Sequence, residues 1–403
     1  MTQASAAIGG AAFGRDASVL AVLGQTLLLF ALTTLPTPLY GDYAREFHFS
    51  VLTLTLIYAV YSAGTLSTLL LFGPLSDRIG RRPVALLAIA GAALAALLFA
   101  LAANTATLFA ARLVTGLATG LSSGTAVAWL RELHDESAQK TASLRTVAIN
   151  LLGLGFGPLL CGLLAATGFW PGVLPYIVFL LLLAVLAAVM LHARETVASP
   201  KSLGAVQLHP RIGVPSGQRV AFLAPGLICF VIYSLVGFYS ALTPGLLAHG
   251  LHITSHLVSG SLVFLFFLAG VLTVYATAGI GCRAVMIWGA GLMLPALAML
   301  VLSELYASLP ILVAGSVIGG ISLGAGYRGA LEVTNRLATA DRRAELLSML
   351  FVCGNMGMAL PVIGVGVLTS LTNARLADLA FAGVIALLSL TGLGFGFGVA
   401  VRR

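Results

Sequence analysis

Residues 73–83 read Gly73-Pro-Leu-Ser-Asp77-Arg78-Ile-Gly80-Arg81-Arg82-Pro83. This short polar segment stands between two long stretches that carry no charge, residues 47–76 and 83–111. The contrast holds for the whole chain, in which only 8% of the 403 residues are charged and 59% are hydrophobic. About a quarter of the residues in a soluble protein are charged, so this composition could not supply a polar surface in water. We therefore expect the chain to lie in a lipid bilayer.

Charge-free runs follow one another along the sequence. A spanning helix needs about 20 apolar residues, and backbone amides in hydrocarbon must be satisfied within a helix or a closed barrel. Barrel strands alternate in polarity over about 10 residues, unlike these runs, so the sequence predicts an all-α membrane protein. Two runs are long enough for two helices each, with predicted breaks at Gly168–Gly172 and across His249–His256, which gives twelve transmembrane helices. The runs are 17–41, 47–76, 83–111, 113–130, 146–193, 220–282, 284–303, 305–327, 346–374 and 379–401.

Lysine and arginine are unevenly distributed between the two sides that twelve spans define. Of the 21 Lys and Arg residues, only Arg45 and Arg375 fall on one side, and 17 fall on the side that holds both chain ends. Because positive loop charges accumulate in the cytoplasm, we predict cytoplasmic termini. This asymmetry explains the net charge of +8 without nucleic-acid binding, since no basic patch interleaves with aromatic residues.

The two halves of the chain repeat weakly at an offset of about 200 residues, as expected for a transporter built from parallel six-helix repeats. The sequence predicts two bundles, residues 1–193 and 220–403, joined by a polar cytoplasmic linker at 194–219. The matching positions are Gly120, Ser122, Gly124 and Glu132 with Gly320, Ser322, Gly324 and Glu332.

The segment at 73–83 resembles the signature loop of the major facilitator superfamily. Span count, orientation, linker and repeat extend the resemblance to the whole chain. It implies the major facilitator fold, in which Asp77 docks against the start of span 11 and stabilises the outward-facing state. The loop at 279–283 has no acidic residue, which fits the asymmetry of the family. The resemblance implies conformational gating by Gly73, Asp77, Arg78, Gly80 and Arg81.

Predicted span 4 carries Arg112, followed at four-residue spacing by Gly116 and Gly120. A guanidinium inside a membrane is costly and marks a functional position. The matching arginine of the family implies that Arg112 serves proton coupling or substrate contact. The alternative is an arginine that reaches the membrane surface along its own aliphatic chain.

Predicted span 5 carries Gly153-x-x-x-Gly157-Pro158-x-x-Cys161-Gly162. This pattern resembles the motif of the family's proton-driven antiporters, which export their substrates. Small residues and a proline kink would let span 5 rock against a partner helix. The resemblance therefore implies a gating role for Gly153, Gly157 and Pro158.

Few side chains within the predicted spans can form strong hydrogen bonds. Spans 1, 4, 7 and 10 line the cavity in this superfamily, so the resemblance implies that Gln25, Arg112, Tyr233, Tyr327 and Arg328 contact the substrate. Asn150 and Asn355, on spans 5 and 11, either contact the substrate or hold helices together.

The sequence places no carboxylate deep in a span. Glu332 follows Arg328 by four residues, so the two can pair on one helix face. The pair is either a titratable group that faces the cavity or part of a cytoplasmic charge cluster that includes Glu132. Many multidrug antiporters carry a carboxylate in span 1. Its absence here argues against strongly cationic substrates and favours a neutral or anionic one.

These observations lead to one hypothesis and one alternative of the same fold. The hypothesis is a monomeric, multi-pass secondary active transporter of a bacterial inner membrane. It exports a small organic molecule by alternating access, coupled to inward proton movement and without a cofactor. The alternative is a proton-coupled symporter or facilitator that imports a small metabolite or vitamin.

Functions of other classes find little support. A membrane metalloenzyme needs clustered ligands, and the only close histidines, His249, His252 and His256, fall in a predicted loop. We therefore predict neither an enzyme nor a metal site. No G-x-x-x-x-G-K-[ST] segment occurs, which argues against ATP hydrolysis. A receptor would be expected to add a soluble domain, and we expect none.

Overall fold

The computed structural model describes residues 13–72, 75–134, 139–197, 213–214, 216–339 and 342–398. All regular structure in these ranges is helical, which confirms the predicted all-α class. Short helices at Tyr40–Glu46 and Leu75–Ile79 accompany the long ones. The long helices are α1 (Arg15–Thr34), α2 (Val51–Phe72), α3 (Arg81–Ala100), α4 (Thr105–Leu133), α5 (Gln139–Ala165), α6 (Leu174–Met190), α7 (Arg219–Ala241), α8 (His256–Ala276), α9 (Cys282–Leu305), α10 (Leu309–Leu337), α11 (Arg343–Leu371) and α12 (Ala374–Gly398).

Eleven helices of the described chain are long and apolar enough to cross a membrane. The exception is α6, which is apolar but only 17 residues long. At about 1.5 Å per residue it rises about 26 Å, slightly less than a hydrocarbon core of about 30 Å. The count of twelve spans therefore stays a prediction, as does the side of the membrane on which the termini lie.

The breaks inside the two longest charge-free runs fall where the sequence predicts them. Between α5 and α6, Gly168 has a φ of +75°, a left-handed conformation that glycine adopts without strain. Before α8, the chain leaves a π-helical turn at Leu246–Gly250, and the Ser255 hydroxyl then accepts a hydrogen bond from the amide of Val258. Serine in this position satisfies one of the free amides of a helix N-terminus.

Apolar side chains cover the outer faces of the peripheral helices. Leu181 and Val185 on α6 are each 64% exposed, and Leu387 on α12 is 65% exposed. An aqueous surface would not carry such contiguous apolar area, whereas acyl chains solvate it favourably. The fold therefore presents a lipid-facing exterior.

Buried apolar residues form two clusters that follow the chain. One is drawn from residues 19–193. The other runs from Phe222 to Ile385 and also takes in Tyr58, Tyr61 and three residues of α5. Helices α2 and α5 therefore pack against the second half as well as their own. The boundaries of the two bundles stay a prediction, because residues 198–212 and 215 of the predicted linker lie outside the described residues, as do Gly73 and both chain ends.

Glycines at repeated positions allow equivalent helix contacts in the two halves. A Cβ added at Gly120 of α4 would lie 2.8 Å from the carbonyl oxygen of Thr65 on α2. A Cβ added at Gly320 of α10 would lie 2.1 Å from the carbonyl oxygen of Phe266 on α8. Both backbones approach too closely for any side chain. The repeat in the sequence thus corresponds to a repeat in packing.

Candidate functional site

A cavity of about 910 Å³ lies between the two halves. Helices α1, α2, α4 and α5 line one wall, and α7, α10 and α11 line the other. We call it the central cavity. Its charged lining residues other than Arg328 lie where α2, α4 and α10 end and α11 begins, and we call this the mouth end. The volume falls within the range of sites for drug-sized ligands, about 300–1,000 Å³.

Six of the residues proposed for substrate or proton contact line the central cavity: Asn150, Tyr233, Tyr327, Arg328, Glu332 and Asn355. Tyr233 and Tyr327 form an edge-to-face pair with ring centroids 5.5 Å apart. Asn150 and Asn355 lie near the middle of α5 and α11. The Asn150 Oδ1 atom is buried without a hydrogen-bond partner in the described chain. The structure thus brings aromatic rings and carboxamides together near the middle of the long helices that line the cavity, a level that we call mid-height.

Arg328 and Glu332 lie on one face of α10, but each also contacts other polar groups. Arg328 donates to the backbone carbonyls of Thr277, Ala278 and Ile280 beyond the end of α8. Its Nη2 atom lies 3.5 Å from Glu332 Oε2, whereas Arg336 Nη2 lies 2.8 Å from Glu332 Oε1. Glu332 is therefore held between two arginines at the cavity wall. Glu132 is not part of this group, since it pairs with Arg81, and a titratable role for Arg328 and Glu332 stays a prediction.

Two predicted cavity residues lie outside the cavity. Gln25 of α1 is fully buried and donates through Nε2 to Ser122 Oγ of α4 at 3.1 Å. The neighbouring residue Thr26 faces the cavity instead. Span membership alone cannot decide which face of a helix points inward, which is why the sequence misplaced Gln25.

Arg112 is 0% exposed and also lies outside the lining of the cavity. Its guanidinium donates to the carbonyl oxygen of Thr33 and to the hydroxyl of Tyr40. The rings of Tyr40, Tyr58 and Phe99 surround it at 5.3–5.6 Å from their centroids. Such cation–π contacts stabilise a buried guanidinium without a carboxylate. In this conformation Arg112 reaches neither the cavity nor the surface of the membrane.

At the mouth end, the segment between α2 and α3 is bound to α4. Arg81 pairs with Asp77 at 2.5 Å and with Glu132 of α4 at 2.6 Å. Glu195 accepts hydrogen bonds from the backbone amides of Arg81 and Arg82, both at 2.9 Å. The carboxylate thus caps the start of α3, where the helix dipole favours negative charge. Within the described residues, Asp77 makes no hydrogen bond or ion pair with α11.

The opposite end of the cavity is closed by contacts between the two halves, and we call it the closed end. Thr37 Oγ1 donates to the carbonyl oxygen of Ser240 at 2.6 Å. His256 Nε2 lies 2.7 Å from Asp42 Oδ2. Asp42 also pairs with Arg45. This contact could not be predicted from the sequence, because Asp42 and His256 are 214 residues apart and His256 fell in a predicted loop.

Helix α5 lies between α1 and α8 and touches both through glycines. A Cβ added at Gly157 would lie 2.0 Å from the carbonyl oxygen of Ala31 on α1, and one at Gly153 would lie 2.5 Å from that of Leu27. On the other face, a Cβ added at Gly260 of α8 would lie 2.2 Å from the carbonyl oxygen of Pro158. The predicted small-residue face of α5 therefore packs against both halves.

One buried carboxylate escaped the sequence analysis. Asp378 lies in the second turn of α12, is 7% exposed and makes no hydrogen bond in the described chain. It stands at the edge of a charge-free run, so it was counted with the loop. The described residues include no group of three His, Cys, Asp or Glu side chains that could hold a metal ion.

Comparison with known families decides what this architecture is. The sequence matches the family described as the Major Facilitator Superfamily over residues 18–281, which is more than half of the chain. The chain belongs to the major facilitator superfamily. Members of this family are transporters rather than enzymes, so the protein is a membrane transporter.

Curated relatives within the family match only part of this chain. Multidrug resistance protein D of Escherichia coli is 26% identical over 205 residues, which cover 51% of this chain and 50% of that protein. Three uncharacterized transporters of Schizosaccharomyces pombe are 30% identical over 130 residues, which cover 32% of this chain and 26% of each. The chain thus matches half or less of the length of these relatives.

A solved structure matches nearly the whole chain. A mutant form of the nucleoside transporter NupG aligns with a TM-score of 0.70, covering 94% of this chain and 99% of that one. The two sequences are only 12% identical, so the likeness shows the fold alone.

Proposed function

We propose that this superfamily member is a secondary active transporter that exports a small organic molecule by alternating access, in exchange for protons. The observation that carries the proposal is the central cavity, which both halves line and which is open at one end and closed at the other. Opening the closed end while closing the mouth end would expose the same residues to the other side. This is the geometry that alternating access requires.

Charge supports a mouth end that faces the cytoplasm, and the motif of α5 supports export. Arg78, Arg131 and Arg343 surround the mouth end, and positive charge accumulates in cytoplasmic loops. The conformation described here would then be open to the cytoplasm of a bacterial inner membrane. The Gly157-Pro158 motif resembles that of exporters, and one relative is a multidrug resistance protein. We expect the protein to act as a monomer.

Proton coupling would need a group that changes charge or partner between the two states. Glu332 is suited to this role because it lines the cavity and shares its charge between Arg328 and Arg336. A carboxylate that loses one of two cations during closure gains affinity for a proton. Arg112 would act through its hydrogen bond to the hydroxyl of Tyr40. Tyr40 begins the short helix Tyr40–Glu46, which follows α1 and lies at the closed end.

The test is transport by purified protein in liposomes with a pH-sensitive dye in the lumen. A panel of neutral, anionic and cationic aromatic compounds is added outside under an imposed pH gradient. We expect one class to accumulate against its gradient while protons move the opposite way. Proton movement in the same direction as the compound would favour the alternative, an importing symporter.

A second test blocks the cavity with a large side chain. Gly124 of α4 lines the cavity, and a Cβ built there meets nothing within 4 Å. A Gly124→Trp variant should place its indole in the cavity and block transport, and its thermal unfolding midpoint shows whether it is folded. Transport at the wild-type rate by this variant would contradict a route through the central cavity.

A further inference from the structure

The middle of the central cavity is lined mainly by aromatic rings and carboxamides, unlike the charged mouth end. At this height the lining comprises the rings of Phe30, Tyr61, Tyr233 and Tyr327 and the carboxamides of Asn150 and Asn355. The charged lining residues cluster toward the mouth end, except for Arg328. That guanidinium is 4% exposed and donates to backbone carbonyls at the end of α8. A substrate that reaches mid-height therefore meets no unpaired carboxylate among the described lining residues, and the one guanidinium there is held at the end of α8 through both Nη atoms, with its buried Nε atom left without a partner in the described chain.

The two asparagines occupy matching places in the two halves. Asn150 is the twelfth residue of α5, and Asn355 is the thirteenth of α11. Asn355 donates through Nδ2 to the carbonyl oxygen of Phe351 at 3.0 Å. The Asn150 Oδ1 atom is buried and has no partner in the described chain. A buried acceptor without a donor is costly, so a ligand that brings an N–H or O–H group would be favoured here.

Aromatic faces complete the site. Tyr233 and Tyr327 stand edge to face at 5.5 Å, and Phe30 and Tyr61 belong to the opposite wall. Rings arranged in this way bind flat aromatic molecules through offset or edge contacts. The site therefore offers planar apolar surface from both halves together with carboxamides.

The same site disfavours cations. The two carboxylates of the lining, Asp77 and Glu332, are paired with Arg81 and Arg336 at 2.5 and 2.8 Å. A cation at mid-height would lose its hydration without gaining a counter-charge. Arginines at the mouth end would also lower the local concentration of cations.

We propose that the middle of the central cavity binds an uncharged, planar aromatic molecule whose N–H or O–H group donates to Asn150. This inference rests on the proposed transport function for its biological meaning, but its binding chemistry can be tested separately. Asn355, on the facing half, would engage the other edge of the same molecule, so that one ligand bridges both bundles.

The test uses four fluorescent tricyclic probes of nearly equal shape and purified protein in nanodiscs. Acridone is neutral and carries one N–H donor. N-methylacridone lacks the donor, 10-methylacridinium is a cation, and acridine-9-carboxylate is an anion. We expect acridone to bind at least about 10-fold more tightly than each of the others, because a lost hydrogen bond or an unpaired buried charge costs at least this much.

Variants locate the binding. Asn150→Leu should weaken acridone binding about 10-fold and leave N-methylacridone binding unchanged within about twofold. Asn335→Leu is the control, since Asn335 lines the cavity at the mouth end and pairs with Arg343. It should leave both affinities unchanged.

Three results would overturn the inference: tighter binding of 10-methylacridinium than of acridone, no binding by any of the four probes, or equal affinity of acridone for wild type and Asn150→Leu. Failure of the transport proposal looks different. Acridone would then bind with the predicted sensitivity to Asn150→Leu, but under an imposed pH gradient it would not accumulate against its own gradient in liposomes that contain the protein.

Discussion

A single methyl group at Gly260 should open the closed end. Gly260 lies one turn into α8, and its added Cβ would stand 2.2 Å from the carbonyl oxygen of Pro158 on α5 and 3.3 Å from Gly162 Cα. Ordinary van der Waals contact begins at 3.4 Å. In a Gly260→Ala variant, α5 and α8 must therefore separate by about 1.2 Å at this point. The obstacle is backbone, so no side-chain rotation can relieve it.

The expected magnitude follows from the cost of overpacking. Forcing one extra methyl group into a close-packed contact costs about 1–3 kcal/mol. The cost falls on the conformation described here and is relieved when α5 and α8 part at the closed end. A difference of this size shifts a two-state equilibrium about 5- to 150-fold. Gly260→Ala should enrich the population in which the closed end is open by that factor.

The assay is labelling of a buried reporter cysteine from the closed-end side. Ser240 is 0% exposed, and cysteine is nearly isosteric with it. In a background without Cys161, Cys229, Cys282 and Cys353, a Ser240→Cys reporter is labelled by a membrane-impermeant maleimide only when the closed end opens. We expect the labelling rate to rise about 5- to 150-fold in Gly260→Ala.

The matched control is Gly364→Ala on α11, where an added Cβ meets nothing within 4 Å. It should leave the labelling rate unchanged. The reasoning is refuted if Gly260→Ala folds normally and its reporter is labelled at the control rate.

Four further predictions concern charged groups. Arg112→Ala should abolish transport driven by a pH gradient while leaving ligand binding from the mouth end within about twofold, since Arg112 does not line the cavity; loss of equilibrium binding would argue otherwise. Asp42→Asn should raise labelling of the Ser240→Cys reporter up to about 5-fold, because a partly exposed ion pair contributes about 0–1 kcal/mol. The same labelling should rise more steeply with pH in the wild type than in Asp42→Asn, because rising pH neutralises His256 beside Asp42 in addition to ionising the reporter thiol, which happens in both proteins; Arg45 is the other charged partner of Asp42. Arg81→Gln should lower the thermal unfolding midpoint by leaving Glu132 without its partner, and a second change of Glu132→Gln should recover part of the loss.

Most of the helical architecture could be predicted because charged residues are scarce and unevenly spaced along the chain. A hydrocarbon environment excludes charge and requires internal backbone bonding, so the limits of each charge-free run mark a helix. The break at Gly168 and the start of α8 near His256 lie inside charge-free runs, and the turn residues Gly168–Gly172 and the polar stretch His249–His256 predicted them instead. The 17-residue length of α6 could not be predicted, because its run continues through apolar residues that cross a turn.

The candidate site was less predictable because a sequence does not show which helix face points inward. Tyr233, Tyr327, Asn150 and Asn355 were found as polar groups in apolar runs, and they line the cavity. Gln25 lies on a face of α1 that contacts α4 instead.

Contacts between the halves join residues that are distant in the chain. The ion pair of Asp42 and His256 could not be inferred from either segment alone. Asp378 was missed for a different reason, because one charge at the edge of an apolar run looks like the start of a loop. Its burial depends on the helices packed around α12, which local sequence does not specify.

The most direct test of alternating access measures both ends of the molecule in the same preparations. Spin labels at Arg131 and Arg343 report the mouth end, and labels at Gly41 and His252 report the closed end, since all four positions are exposed. Distances between labels are measured by pulsed electron resonance in nanodiscs, for wild type and for Gly260→Ala. We predict that the distance across the mouth end shortens as the distance across the closed end lengthens. Two distances that stay unchanged, or that lengthen together, would contradict a cavity exposed to one side at a time.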